Sequence, residues 1–297
     1  MNLVKYRDRK NTNSVKWDNL KNIFGQKDLL PLWVADMDFE VAKPITDALQ
    51  AQVNHGIYGY TEVKYDYFEI VKNWFKDNFD WDIKKGSLVK TPGVVYAIAM
   101  AVKAFTKEGE AVIIQQPVYY PFSEMIIANN RKLVNSPLVL KDGRYEIDFE
   151  DFEKKIVENN VKLFILCSPH NPAGRVWTEE ELIRVAKIAE KYGLLVVSDE
   201  IHHDLIMPGS HHTVFETVTP TIAARTITCT SPSKTFNLAG TQFSNIIVSN
   251  PELRECLDAR MRENHTTSCN PISFKACELA YNYAEKWLDA CIATVDA

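Results

Sequence analysis

The 297-residue chain has no C-x-x-C pair, so its six cysteines lack the spacing of a zinc or redox motif. Neither G-x-G-x-x-G nor G-x-x-x-x-G-K-[ST] occurs among its eleven glycines, which removes the two common nucleotide-phosphate signatures. G-x-S-x-G and H-E-x-x-H are also missing, so no serine-hydrolase elbow and no standard zinc-protease helix is written here. There is no surplus of positive charge: 34 Lys and Arg face 39 Asp and Glu, a formal charge of −5, which argues against nucleic acid as a partner. The longest apolar stretch, Val94 to Val102, stops at Lys103, well short of the roughly 20 residues that cross a bilayer. The first fourteen residues carry four basic side chains and no apolar segment, unlike a secretory signal. A soluble, cytoplasmic protein with no membrane partner is the expectation. Several of Cys167, Cys229, Cys256, Cys269, Cys277 and Cys291 sit in apolar runs, where a reduced thiol packs as a small hydrophobe.

What is present is apolar content, 46%, enough for a sizeable core. Val-, Ile- and Leu-rich runs recur at 111–115, 161–167, 194–199, 225–230 and 243–249, too uniformly apolar for half-exposed strands, and they read as buried parallel strands. Between the second and third lies a helix opened by Thr178, with Glu181 completing a capping box and Gly193 ending it. Its Leu182, Val185, Ala186 and Ala189 form one apolar face. Strand, helix and strand in alternation predict an α/β fold, a mostly parallel central sheet with helices on both faces. Residues 1–40 precede the alternation and read as an N-terminal arm and part of a small domain. Residues 41–285 form the large domain, a helical pattern runs from Pro271 to Trp287, and 286–297 begin a small domain that looks incomplete.

In an open parallel sheet, ligands bind beyond the carboxyl ends of the strands. Lys234 follows one run among hydroxyls, Ser231, Ser233 and Thr235, that suit a phosphate; a desolvated lysine there is a candidate Schiff-base amine, and a solvated lysine in a Ser-rich turn is the plainer alternative. Asp199 ends another run, where a buried carboxylate needs a cation such as a protonated pyridine nitrogen; a helix N-cap would also explain it. Asn171 in HNPAG is a turn residue or a hydrogen-bond donor to a phenolic oxygen. Tyr119 and Tyr120 follow the first run and suit stacking on a heteroaromatic ring or packing at a rim. Gly93 opens an apolar helix whose free amides suit a phosphate.

Taken together with WVADMDF, YGYT, PVYYPF, SPHNPAGRVW, SDEIHHDL and SPSKTFNLAG, these residues resemble the fold-type I pyridoxal-phosphate enzymes of the class I/II aminotransferase superfamily. Within it the sequence is most similar to the MalY/PatB group of cystathionine β-lyases, or C-S lyases. The resemblance implies pyridoxal 5'-phosphate as cofactor and β-elimination on sulfur amino acids, giving thiol, pyruvate and ammonia. It implies that Lys234 joins the cofactor aldehyde and moves the substrate α-proton, that Asp199 pairs with the ring nitrogen, that Asn171 bonds the ring oxygen, and that Tyr119 stacks on the ring. Phosphate contacts would come from Ser231, Ser233 and the amides of Val94 and Val95 behind Gly93. Tyr60 of YGYT would reach the cofactor phosphate of a neighbouring subunit in a homodimer, and Ala35 would face the substrate carboxylate.

Two positions depart from ordinary transaminases. His202 stands where many have a tyrosine, a feature of the C-S lyase group, and Gln242 stands where aspartate aminotransferases have an arginine. The arginine expected to clamp the substrate carboxylate would follow Ala297, which implies a truncated chain whose own turnover is open. An aminotransferase acting on an amino acid and a 2-oxo acid is the nearest alternative, and a binding or regulatory protein without turnover is a second. A metal site built from His202, His203, Asp204, His211 and His212 is a third, although HHDLIMPGSHH fits no standard ligand spacing.

Overall fold

The computed structural model describes residues 3–63, 65–266 and 270–297, so Cys269 lies outside the described residues. Among the described residues nine strands follow in chain order: β1 (Leu88–Thr91), β2 (Ala111–Ile114), β3 (Lys132–Asn135), β4 (Val139–Lys141), β5 (Arg144–Glu146), β6 (Leu163–Cys167), β7 (Leu195–Asp199), β8 (Thr226–Thr230) and β9 (Ser244–Ile247). β4 and β5 form a separate hairpin, and the other seven make one sheet in the order β1-β9-β8-β7-β6-β2-β3. From β3 to β8 every pairing is parallel.

The apolar runs are strands because both of their faces are covered. Along β6, Ile165 and Cys167 enter one core with Val94, Ile98 and Leu257, while Phe164 and Leu166 enter the core on the other face with Phe152, Leu182 and Val185. Helices Val94–Phe105 and Pro251–Glu263 supply the first layer, and Phe149–Glu158 and Glu179–Tyr192 the second. The run at 243–249 is the correction: β9 pairs antiparallel with both β8 and β1. All four of its residues are buried, and burial on both faces, not strand direction, is what removes the polar alternation.

The helix after Thr178 forms with its full capping box, Glu181 N–H donating to Thr178 Oγ1 at 3.2 Å and Thr178 N–H to Glu181 Oε2 at 2.8 Å. Gly193 closes it in the left-handed region at φ 68°, where a side chain would be strained. The pattern expected to run from Pro271 to Trp287 is instead two helices, Pro271–Tyr283 and Glu285–Asp296, broken at Ala284. Both pack into a third core against the helices Lys43–His55 and Tyr65–Phe79. Val4 joins that core, and Trp287 Nε1 donates to the Glu40 carbonyl at 2.9 Å, so the two ends of the described chain meet there.

Candidate active site

Parallel pairing places Cys167, Asp199 and Cys229 level across β6, β7 and β8. The segments after these strands therefore leave the sheet on one edge, and they enclose a cavity of about 670 Å³. Lys234, Asp199, His202, Asn171, Tyr119 and Ala35 all line it. Tyr119, Asn171, Asp199 and Lys234, widely separated in the chain, thus meet because the strands they follow belong to one sheet.

Asp199 is the last residue of β7 and is buried. Its neighbours on both sides are thiols, which offer almost no solvation, and burial pushes its carboxyl up to about 7. Its one hydrogen bond among the described residues comes from the Ile201 N–H, 3.1 Å from Oδ1. That is the bond of a cap, but residues 201–204 form a turn and no helix follows. The carboxylate thus lacks the full partner set that a buried charge requires.

Lys234 lies in the one-turn helix Pro232–Thr235 that follows β8. Burial lowers its proton affinity, opposed by the charges of Asp36 and Asp199, and its Nζ donates to the Ala35 carbonyl at 3.4 Å. His202 is pushed down to about 4 by burial, with Lys234 and His203 adding to the effect, so its imidazole is neutral at physiological pH. Tyr119 is half-buried and its hydroxyl is pushed up, chiefly by burial, so the ring is a neutral phenol at the cavity wall. Asn171 spends its backbone N–H on Cys167 Sγ at 3.4 Å, and its side chain borders the cavity.

At another part of the wall, Gly93 caps the helix Val94–Phe105. The N–H groups of Val94 and Val95 belong to its first turn, where a helix has no internal acceptor for them. Ser233 also lines the cavity. Ser231 does not: it is fully buried, its hydroxyl donates to the Phe243 carbonyl at 2.8 Å and accepts from the Ser233 N–H at 3.1 Å. It caps the lysine turn. Tyr60 is fully exposed and is not on the cavity wall of its own chain. Two of the histidines weighed as metal ligands have other partners: His212 pairs with Glu200 at 2.8 Å and His203 with Asp204 at 3.0 Å.

Sequence reasoning missed Asn237 and Asp36. Asn237 sits at φ 57° just after the lysine turn, accepts from the Met37 N–H at 2.9 Å and donates to the carbonyls of Met37 and Phe39 at 3.0 and 2.9 Å. It ties the Ala35 segment to the segment that carries Lys234. Asp36 is held by Arg9 at 2.8 Å and lends negative potential to Lys234. Asparagine is favoured at positive φ, so the turn was readable, but its partners lie two hundred residues away.

The family profile of class I and II aminotransferases matches residues 27–282. The chain is 43% identical over 296 residues to cystathionine beta-lyase PatB of Bacillus subtilis (strain 168), covering 100% of this chain and 76% of that protein. It is 32% identical to protein MalY of Escherichia coli (strain K12), covering 95% of this chain and 72% of that one. Among solved structures it superposes on cystalysin of Treponema denticola, which contains pyridoxal 5'-phosphate, with a TM-score of 0.94 at 42% identity over 99% of this chain and 75% of the other. The PLP-bound C-S lyase of Staphylococcus hominis gives a TM-score of 0.91 at 35% identity over 98% and 73%.

Proposed function

The chain belongs to the aminotransferase class I and II family, and from that premise we propose that it is a pyridoxal 5'-phosphate-dependent C-S lyase. It cleaves the bond between the β-carbon and sulfur of an amino acid such as cystathionine, consuming one water and giving thiol, pyruvate and ammonia. The observation that carries this reading is a buried carboxylate and a desolvated amine on the wall of one cavity. Its relatives supply the substrate class: cystathionine and C-S lyases by name.

The residues fit the cofactor. Asp199 lacks a full-strength cationic partner, which a protonated pyridine nitrogen would be. Gly93 leaves open space where a side chain would stand, beside the first-turn amides of Val94 and Val95 and the hydroxyl of Ser233, a set suited to a phosphate. A cavity of about 670 Å³ has room for the cofactor and an amino acid. Asn171 would hold the ring oxygen, neutral His202 would border the ring without competing for its negative charge, and Tyr119 would stack on its face.

When bound, the cofactor supplies an aldehyde for an amine and an electron-withdrawing ring that spreads negative charge from the substrate α-carbon. The chain's own residues do the rest. Burial lowers the proton affinity of Lys234, which suits it to act as nucleophile toward the aldehyde and afterwards as the base that takes the proton from the α-carbon. The Ala35 carbonyl holds that amine on the side of the cavity where the substrate carboxylate is expected. Asp199 would hold a proton on the ring nitrogen and so preserve the ring's capacity to accept charge. A thiolate, as a good leaving group, then departs from the β-carbon.

A homodimer in which Tyr60 reaches the cofactor phosphate of the other subunit is part of the proposal. Its support is the full exposure of Tyr60 beside exposed Ile57 and Tyr58. A cytoplasmic location is also proposed: no disulfide joins the described cysteines, and no helix among the described residues is long and apolar enough to cross a membrane.

The test combines spectrum and turnover. Protein incubated with pyridoxal 5'-phosphate gains an absorbance that borohydride fixes covalently and that Lys234→Ala abolishes. Turnover of L-cystathionine to pyruvate and free thiol then proceeds without a 2-oxo acid. Turnover that requires the oxo acid overturns the lyase reading in favour of a transaminase, and a spectrum that ignores the added cofactor overturns both.

A further inference from the structure

The run DEIHHD divides between two environments. Asp199 and His202 line the cavity, whereas Glu200, His203 and Asp204 are buried in the protein behind it. Asp204 has three side-chain partners. Its Oδ2 accepts from Thr235 Oγ1 at 2.7 Å, its Oδ1 accepts from Trp74 Nε1 at 3.1 Å, and His203 Nε2 lies 3.0 Å from Oδ2 as an ion pair. Those partners come from three places: the one-turn helix Pro232–Thr235, the helix Tyr65–Phe79, and the turn after β7.

Thr235 is fully buried and immediately follows Lys234, which faces the cavity. A one-turn helix has little internal hydrogen bonding to hold its orientation, so a bond from its buried side governs where its other side points. Asp204 is well made for this. Although burial works against its charge, His203, Thr235 and Trp74 hold its carboxyl below the ordinary range, and bonds to an ionised acceptor are about twice as strong as neutral ones. Trp74 is itself fixed edge-on to Phe236, at 5.5 Å between centroids and 70° between planes, just beyond the same turn.

We infer that Asp204, acting through the Thr235 hydroxyl, is a positioning residue that aims Lys234 into the cavity and sets its spacing from Asp199. The two cavity residues are thereby joined by a short rigid path, from Asp199 along the turn to Asp204, across one hydrogen bond to Thr235, and to Lys234 next in the chain. The inference rests on Lys234 being the residue that joins the cofactor.

The experiment follows covalent capture and not turnover. Cofactor-free wild type, Thr235→Val, Thr235→Ser and Asp204→Asn are mixed with pyridoxal 5'-phosphate and cyanoborohydride, and the rate of label gain at residue 234 is read by peptide mass. Circular dichroism establishes folding. Loss of a bond to a charged acceptor slows capture about tenfold in Thr235→Val and Asp204→Asn, while Thr235→Ser, which keeps the hydroxyl, stays within about twofold of wild type. A packing role gives the opposite order, because valine preserves the volume of threonine and serine does not. Capture by folded Thr235→Val at the wild-type rate, or by Thr235→Ser as slowly as by Thr235→Val, overturns the inference. If one variant fails to fold, the ratio between the remaining hydroxyl-bearing and hydroxyl-free proteins decides it. Wild type that takes no label at residue 234 overturns the cofactor reading itself, which separates the two failures.

Discussion

Asp199→Asn should make the cofactor-free chain more stable, by an amount that grows with pH. The folded protein holds the Asp199 proton up to about 7, whereas the unfolded chain releases it near the ordinary carboxylate value of about 4. A group whose folded value is raised gives stability that is present at low pH and lost as pH rises through the folded value. Each pH unit in that window costs about 1.4 kcal/mol, so the full penalty of the buried carboxylate reaches about 4 kcal/mol near pH 8 and falls below about 2 kcal/mol near pH 5. Asparagine has the same shape, keeps an oxygen for the Ile201 N–H, and carries no charge. Urea unfolding of the two cofactor-free proteins at several pH values reads the gap between them. The stability of Asp199→Asn relative to wild type should rise by about 2.5 kcal/mol between about pH 5 and about pH 8. Added pyridoxal 5'-phosphate should stabilise wild type much more than the variant, because only the carboxylate gains a cationic partner. A gap that stays constant across this range refutes the reasoning, since it would mean that Asp199 is not desolvated as a charge.

Two further substitutions test the frame around the site. Thr178→Ala removes the side-chain half of the capping box and should cost about 1 kcal/mol in urea unfolding, without altering cofactor capture. Phe152→Ala empties a fully buried position that packs on Phe164 with 4.9 Å between ring centroids, and should cost about 3–5 kcal/mol by the same measurement.

The sheet was legible because its strands are covered on both faces. Runs such as Leu163–Cys167 and Thr226–Thr230 have no exposed side on which polar residues could alternate, so continuous burial marked them directly. The same property hid the direction of β9, which is buried as completely as its parallel neighbours. The lysine turn divides in the same way. Lys234 and Ser233 were read as cavity residues and line the cavity, while Ser231, equally polar and only two residues away, turns inward to cap the turn and bond Phe243. No local pattern separates those serines, because which side of a one-turn helix faces solvent is set by what packs against it.

By itself, the amino-acid sequence determined the alternation of strand and helix, the start and stop of the helix Glu179–Tyr192, and the chemical types that end each strand. Those are local matters, decided by periodicity, capping and turn chemistry within a few residues. The tertiary structure decided which side chains share the cavity, that Asp199 sits between two thiols and so holds its proton, and that Asn237 ties Ala35 to the lysine segment. It also decided that Asp204 meets Thr235 behind Lys234. Each of these depends on desolvation or a hydrogen bond between residues far apart in the chain, and such terms arise only when the sheet has brought them within a few ångströms.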